Sequence, residues 1–124
     1  MSKILIVDDS ATMRKILMRV IRQAGVDCEG FVEASNGVEG LERLTAEASV
    51  DLVLSDVNMQ VMNGIDFVKA IRSQPTREKL PILMVTTEGG ETMVKTALEA
   101  GASGYVTKPF TPETIKSALI GVRR

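Results

Sequence analysis

Three short stretches of this chain, around residues 4–7, 51–55 and 81–86, are almost continuously apolar. A strand with one face in water would alternate apolar and polar residues, because successive side chains point to opposite faces. A bilayer span would need about 20 apolar residues in a row. Short, unbroken runs such as Ile4-Leu5-Ile6-Val7 therefore read as strands covered on both faces, the environment of a parallel sheet between two helical layers. The chain supplies the covers. From Ser10 to Ala24, the residues Met13, Ile16, Leu17, Val20, Ile21 and Ala24 recur with helical spacing, with Ser10 as N-cap and Gly25 as stop. Val38, Leu41 and Leu44 mark a second helix, and Ile65, Val68 and Ile71 a third that opens after Asn63-Gly64. Met93, Val94, Ala97 and Leu98 mark a fourth, ending near Gly101. Ile115, Ala118, Leu119 and Val122 line a fifth, with Pro112 suited to its first turn. Weaker strand candidates lie near 30–34 and 103–107. Five strand–helix alternations with short connections predict an α/β fold with a doubly wound, five-stranded parallel sheet and right-handed crossovers.

At 124 residues, the chain is expected to form one domain, residues 1–124. Histidine is absent, which excludes a catalytic histidine, a histidine-ligated metal and phosphohistidine formation on this chain. Cys28 is the lone cysteine, with no partner for an internal disulfide, and reads as a small apolar side chain. A net charge of −1 gives no sign of nucleic-acid binding. With no apolar run of membrane length and no signal-peptide pattern ahead of Ile4, the expectation is a cytoplasmic chain.

In doubly wound sheets, ligands bind outside the carboxyl ends of the strands. Asp8, Asp9, Asp56, Thr86, Thr87 and Lys108 all fall there. If the first and third strands are neighbours, the three acids converge. Two such charges ~5 Å apart repel by roughly 3 kcal/mol at an effective dielectric of ~20. A cation, a proton or a chemical task must offset that. Carboxylates and backbone carbonyls are hard ligands suited to Mg²⁺, which commonly shares its coordination sphere with a phosphoryl group. Lys108 and the Thr86 hydroxyl could then neutralise phosphoryl oxygens. The constellation holds no histidine, cysteine or obvious serine nucleophile, so a carboxylate is the nucleophile it offers. Asp56 stands alone at its strand end, while Asp8-Asp9 form a pair able to hold a metal.

Val7-Asp8-Asp9-Ser10, Leu54-Ser55-Asp56, Met62-Asn63-Gly64, Val85-Thr86 and Lys108-Pro109-Phe110, in this order and spacing, resemble the receiver domain of bacterial response regulators, in its stand-alone chemotaxis-type form. The resemblance spans essentially the whole chain. It implies the flavodoxin-like strand order 2-1-3-4-5 and makes Asp56 the phosphoacceptor. It implies Mg²⁺ on Asp9, Asp56 and the carbonyl of Asn58, with Asp8 acting partly through water. Lys108 would pair with the phosphoryl oxygens, and Thr86 would move to bond them. Tyr105 would couple that movement to a surface of the fourth helix, fifth strand and fifth helix. Asn58 and Glu88 fall at positions that influence the lifetime of the phosphoryl group, and the Lys108-Pro109 bond is expected to be cis.

The first helix also carries Arg14, Lys15, Arg19 and Arg22 with no acid among them. This is a solvated face or, by the resemblance, part of a kinase-docking surface. Gln60 stands where the family commonly has proline, which predicts a less rigid acceptor loop. Ala118 and Gly121 replace lysines that chemotaxis-type relatives present to their partners, which speaks against a flagellar-motor partner.

The function expected is a monomeric, phosphorylation-controlled switch. It would be loaded by the phosphohistidine of a histidine kinase or phosphotransfer protein and read out by protein contact, since no DNA-binding module follows Arg124. No nucleic acid or membrane partner is expected, and no enzymatic activity beyond self-catalysed phosphotransfer and autodephosphorylation. The alternative is an aspartyl-phosphate phosphohydrolase of the haloacid dehalogenase type. Such enzymes usually carry a second Asp two residues after the nucleophile, where this chain has Asn58. A flavin carrier is disfavoured, because the acids would repel the FMN phosphate and aromatics are scarce. A purely unphosphorylated scaffold is disfavoured because every site residue is present.

Overall fold

The computed structural model describes residues 3–87 and 90–122. Five parallel strands, β1 (Lys3–Val7), β2 (Gly30–Ala34), β3 (Val50–Ser55), β4 (Ile82–Thr86) and β5 (Gly104–Thr107), form one sheet in the order β2-β1-β3-β4-β5. The helices are α1 (Ala11–Gln23), α2 (Gly37–Ala46), α3 (Gly64–Arg72), α4 (Glu91–Ala100) and α5 (Pro112–Val122). A single 3-10 turn at Pro75–Arg77, absent from the sequence reading, links α3 to β4.

The continuous apolar runs are explained by two cores, one on each face of the sheet. Leu5, Val7, Val53, Ile82 and Met84 point to the face covered by α2, α3 and α4, where Leu44, Phe67, Val68, Ile71 and Ala97 meet them. Ile4, Ile6, Leu52, Leu54, Leu83 and Val85 point to the other face, against Leu17 and Ile21 of α1 and Ile115 and Leu119 of α5. The register pairs Leu5 with Val53 and Val53 with Ile82, so each layer is continuous across strands. β2 is an edge strand with mostly half-buried residues, which is why its apolar signal is weaker.

Local chemistry sets the helix ends. The Ser10 side chain accepts from the Met13 N–H at the start of α1, and Asn36 and Asn63 do the same for Glu39 and Asp66 at α2 and α3. Gly25 and Gly101 take the left-handed conformation (φ 77° and 119°) just past α1 and α4. α5 begins at Pro112, with Thr111 Oγ1 accepting from the Thr114 N–H (3.1 Å). Among the described residues, no helix is long and apolar enough to cross a membrane.

Candidate functional site

Chain order reverses beside β1, which has β2 on one side and β3 on the other, and the crevice opens at the carboxyl ends of these strands. β1 delivers Asp8 and Asp9, and β3 delivers Asp56. The backbone fixes both deliveries: the Asp8 N–H donates to the Ala34 carbonyl on β2 (3.1 Å), and the Asp56 N–H donates to the Val7 carbonyl (3.0 Å). Ligand oxygens of Asp8, Asp9 and Asp56 lie within 4.8 Å of one another, with Asp8 buried, Asp56 half-buried and Asp9 exposed.

The lysine predicted from the sequence arrives with them. Lys108 Nζ lies 3.5 Å from Asp8 Oδ2 and 3.7 Å from Asp56 Oδ2, and its side chain is mostly buried. The Lys108 N–H donates to the Thr86 carbonyl (2.8 Å), tying β5 to the end of β4, and the Lys108-Pro109 bond is cis. The Ser10 N–H donates to Asp8 Oδ1 (2.9 Å), and the Val57 N–H donates to Asp56 Oδ1 (2.7 Å). Burial of Asp8 raises its pKa above the ordinary 3.8, against the pull of the Ser10 amide and Lys108, and the Asp56 charge raises it further. One lysine therefore pairs with two of the three carboxylates. The donor set is all oxygen, and it suits a hard divalent cation such as Mg²⁺.

Of the two threonines, Thr86 is fully buried and Thr87 is exposed. Thr86 continues the alternation of Ile82 and Met84, whereas Thr87 joins Met13, Ile16, Lys108, Pro109 and Phe110 around an apolar hollow of about 430 Å³. Tyr105 is half-buried, paired with Met84 in the register, and borders a groove with Glu113, Thr114 and Ser117 of α5. Ala118 lines that groove too, while Gly121 is exposed with open space where a Cβ would stand. Asn58 is exposed, two residues past Asp56. Glu88 lies outside the described residues.

Backbone hydrogen bonds span the acceptor loop. The Gly64 N–H donates to the Val57 carbonyl (2.8 Å), the Gly37 N–H to the Met62 carbonyl (3.2 Å) and the Met62 N–H to the Gln60 carbonyl (2.8 Å). The last bond closes a γ-turn on Val61, whose φ of 71° is left-handed. Gly64 is required by close approach: a Cβ there would collide with the Asp56 carbonyl oxygen and stand 2.9 Å from Val57 Cα.

The sequence reading missed how the basic residues of α1 are used. Arg14 is mostly buried, donating from Nη1 to the Asp8 carbonyl (2.6 Å) and from Nε to Glu33 Oε1 (2.9 Å). The Arg22 guanidinium sits 5.0 Å from the Phe31 ring centroid. Lys15, Arg19 and Arg22 are exposed and fit the expected solvated face, and Arg14 departs from it. Helical spacing cannot reveal such contacts, because Glu33 is 19 residues away from Arg14 in sequence.

The response regulator receiver domain family matches residues 4–120. The chain belongs to that family. Acceptance of a phosphoryl group by an aspartate is the family's general function, and its members bind Mg²⁺ at an acidic pocket. This receiver is 46% identical over 117 residues to the chemotaxis protein CheY1 of Helicobacter pylori, covering 94% of this chain and 93% of that protein. It is 45% identical to the chemotaxis protein CheY homolog of Campylobacter jejuni, covering 94% of this chain and 88% of that protein. Among solved structures, the chemotaxis response regulator CheY4 of Vibrio cholerae superposes with a TM-score of 0.86 at 38% identity, over 98% of each chain. The strand order and five helices match that neighbour. Receivers of this type are generally signalling proteins rather than enzymes, and they interact with histidine kinases and output proteins.

Proposed function

We propose that residues 1–124 act as a stand-alone, chemotaxis-type receiver in which Asp56 accepts a phosphoryl group and a protein-binding surface elsewhere responds. The observation that carries this reading is one mostly buried lysine poised between Asp8 and Asp56, in a triad of acids gathered within 4.8 Å. An Asp56 carboxylate oxygen attacks the phosphorus of a phosphohistidine on a kinase or phosphotransfer protein. The new bond is O–P, the N–P bond breaks, and the departing electron pair stays on the partner's imidazole. Asp8, Asp9, Asp56 and the Asn58 carbonyl are the residues that would hold Mg²⁺, which when bound offsets phosphoryl charge. Lys108 stands where it can pair with a phosphoryl oxygen once Asp56 carries it.

The Thr86 hydroxyl then bonds the phosphoryl group, and Tyr105 follows. This biases the α4–β5–α5 surface toward its output-binding form. Asn58 and Glu88 tune how long the group persists. The exposed Lys15 and Arg19, with the apolar hollow bordered by Met13, Ile16 and Phe110, make the α1 side the surface offered to the phosphodonor protein. The protein works as a cytoplasmic monomer, and its output partner is a protein that binds the α4–β5–α5 surface. The test is labelling by a small phosphodonor such as acetyl phosphate, followed by radiolabel because the chain has no tryptophan. Labelling is expected to require Mg²⁺ and to vanish in Asp56→Asn. Equal labelling of that variant would overturn the assignment.

A further inference from the structure

Arg14 occupies a place that the phosphoryl chemistry does not account for. It lies in the first turn of α1, with a side chain 16% exposed, and it bonds no carboxylate of the triad. Its Nη1 instead donates to the main-chain carbonyl of Asp8 (2.6 Å), the oxygen of the peptide group that links Asp8 to Asp9. Its Nε donates to Glu33 Oε1 (2.9 Å) on β2, and the Glu33 carbonyl accepts from Arg43 Nε of α2 (3.1 Å). The Asp8 N–H is already held by Ala34, the residue next to Glu33. Both ends of the Asp8 backbone are therefore anchored to the edge strand, one directly and one through a guanidinium.

We propose that Arg14 is a positioning residue for the metal-holding acids. It fixes the plane of the Asp8–Asp9 peptide, and with it the direction in which the exposed Asp9 side chain leaves the backbone. Glu33 makes this possible in two ways. It orients the guanidinium, and its negative charge offsets a cation that would otherwise compete with the ion at the triad. The planar fork of arginine serves both partners at once, which a single ammonium on a lysine does not reproduce. The proposal rests on the reading that Asp8, Asp9 and Asp56 hold Mg²⁺.

The test is the Mg²⁺ dissociation constant of the intact chain by calorimetry, for wild type, Arg14→Gln, Arg14→Lys and Glu33→Gln, with thermal unfolding measured alongside. A brace predicts binding about tenfold weaker in Arg14→Gln, the scale usual for residues that orient metal ligands. Arg14→Lys should stay weaker than wild type, and Glu33→Gln should lose affinity in the same direction by a smaller factor. A through-space charge effect predicts the opposite sign for Arg14→Gln, tighter binding once a nearby cation is removed. A merely structural role predicts a lower melting temperature with an unchanged constant. Tighter or unchanged binding in Arg14→Gln, or full recovery in Arg14→Lys, would overturn the proposal. Should Arg14→Gln fail to fold, Arg14→Lys decides, because it keeps the charge and loses the planar fork: weaker binding supports the brace and wild-type binding overturns it. Absence of Mg²⁺ binding by wild type would defeat the metal-site reading itself, and this proposal with it.

Discussion

The two rims of the sheet handle charge in opposite ways. At the amino rim, cations meet carbonyls. Arg72 donates to the carbonyls of Gly101 (2.9 Å) and Arg77 (2.9 Å) and to Ser103 Oγ (3.3 Å), and Arg77 donates to the Leu44 carbonyl (2.7 Å) near the end of α2. Helix carboxyl ends carry partial negative charge and orphan carbonyls, so a guanidinium there satisfies two needs together. Ser103 extends the arrangement by accepting from the Ile82 N–H (3.0 Å), locking the start of β4 to the approach of β5. At the carboxyl rim, three carboxylates crowd one lysine and a β-branched residue sits in the left-handed region. At the amino rim the guanidiniums find carbonyls within the chain, with Arg77 Nη1 left buried without a hydrogen-bond partner, whereas at the carboxyl rim like charges are gathered together. Stability and function are thus segregated to opposite ends of the same strands.

If that contrast is real, damage at the two rims should differ in sign. Arg72→Ala, which strips three hydrogen bonds from a guanidinium whose pKa burial already lowers, should cost about 2–3 kcal/mol in denaturant unfolding. It should leave phosphodonor labelling intact where the chain is folded. Asp8→Asn should do the reverse, raising stability by about 1 kcal/mol at neutral pH without divalent ions. The sign follows from linkage. The folded carboxyl has a pKa raised above the ordinary 3.8, so folding disfavours its charged form, and wild type loses stability as pH rises through that raised value. The asparagine variant lacks this loss. Added Mg²⁺ should stabilise wild type and leave Asp8→Asn nearly unmoved. A destabilised Asp8→Asn would break the comparison. The smallest effect belongs to Val61, 81% exposed at φ 71°. Asparagine tolerates that conformation better, so Val61→Asn should gain about 0.5–1 kcal/mol in chemical denaturation.

The same segregation explains what the sequence disclosed. Ile4–Val7 and residues 82–85 announce buried strands because burial on both faces leaves an uninterrupted signal, and Ser10, Asn63, Gly25 and Gly101 announce helix ends by local chemistry. The triad was legible because strand ends are legible, and doubly wound sheets place ligands there. What stayed hidden depends on distant partners. Arg72 meets Gly101 across 29 residues and Arg14 meets Glu33 across 19, so sequence spacing reveals neither contact. Gly64 marked only the start of the third helix, yet the structure shows it is needed so that the backbone can approach the Asp56 carbonyl.

The central claim is that the carboxyl rim holds its unresolved charge so that Asp56 can take a phosphoryl group. Peptide-level mass spectrometry of the intact chain after acetyl phosphate and Mg²⁺ tests it most directly. The account predicts the mass of one phosphoryl group on the peptide containing Asp56, localised to that residue and absent when Mg²⁺ is chelated. A phosphoryl group on Asp8, Asp9 or any hydroxyl residue, with Asp56 unmodified, would contradict it.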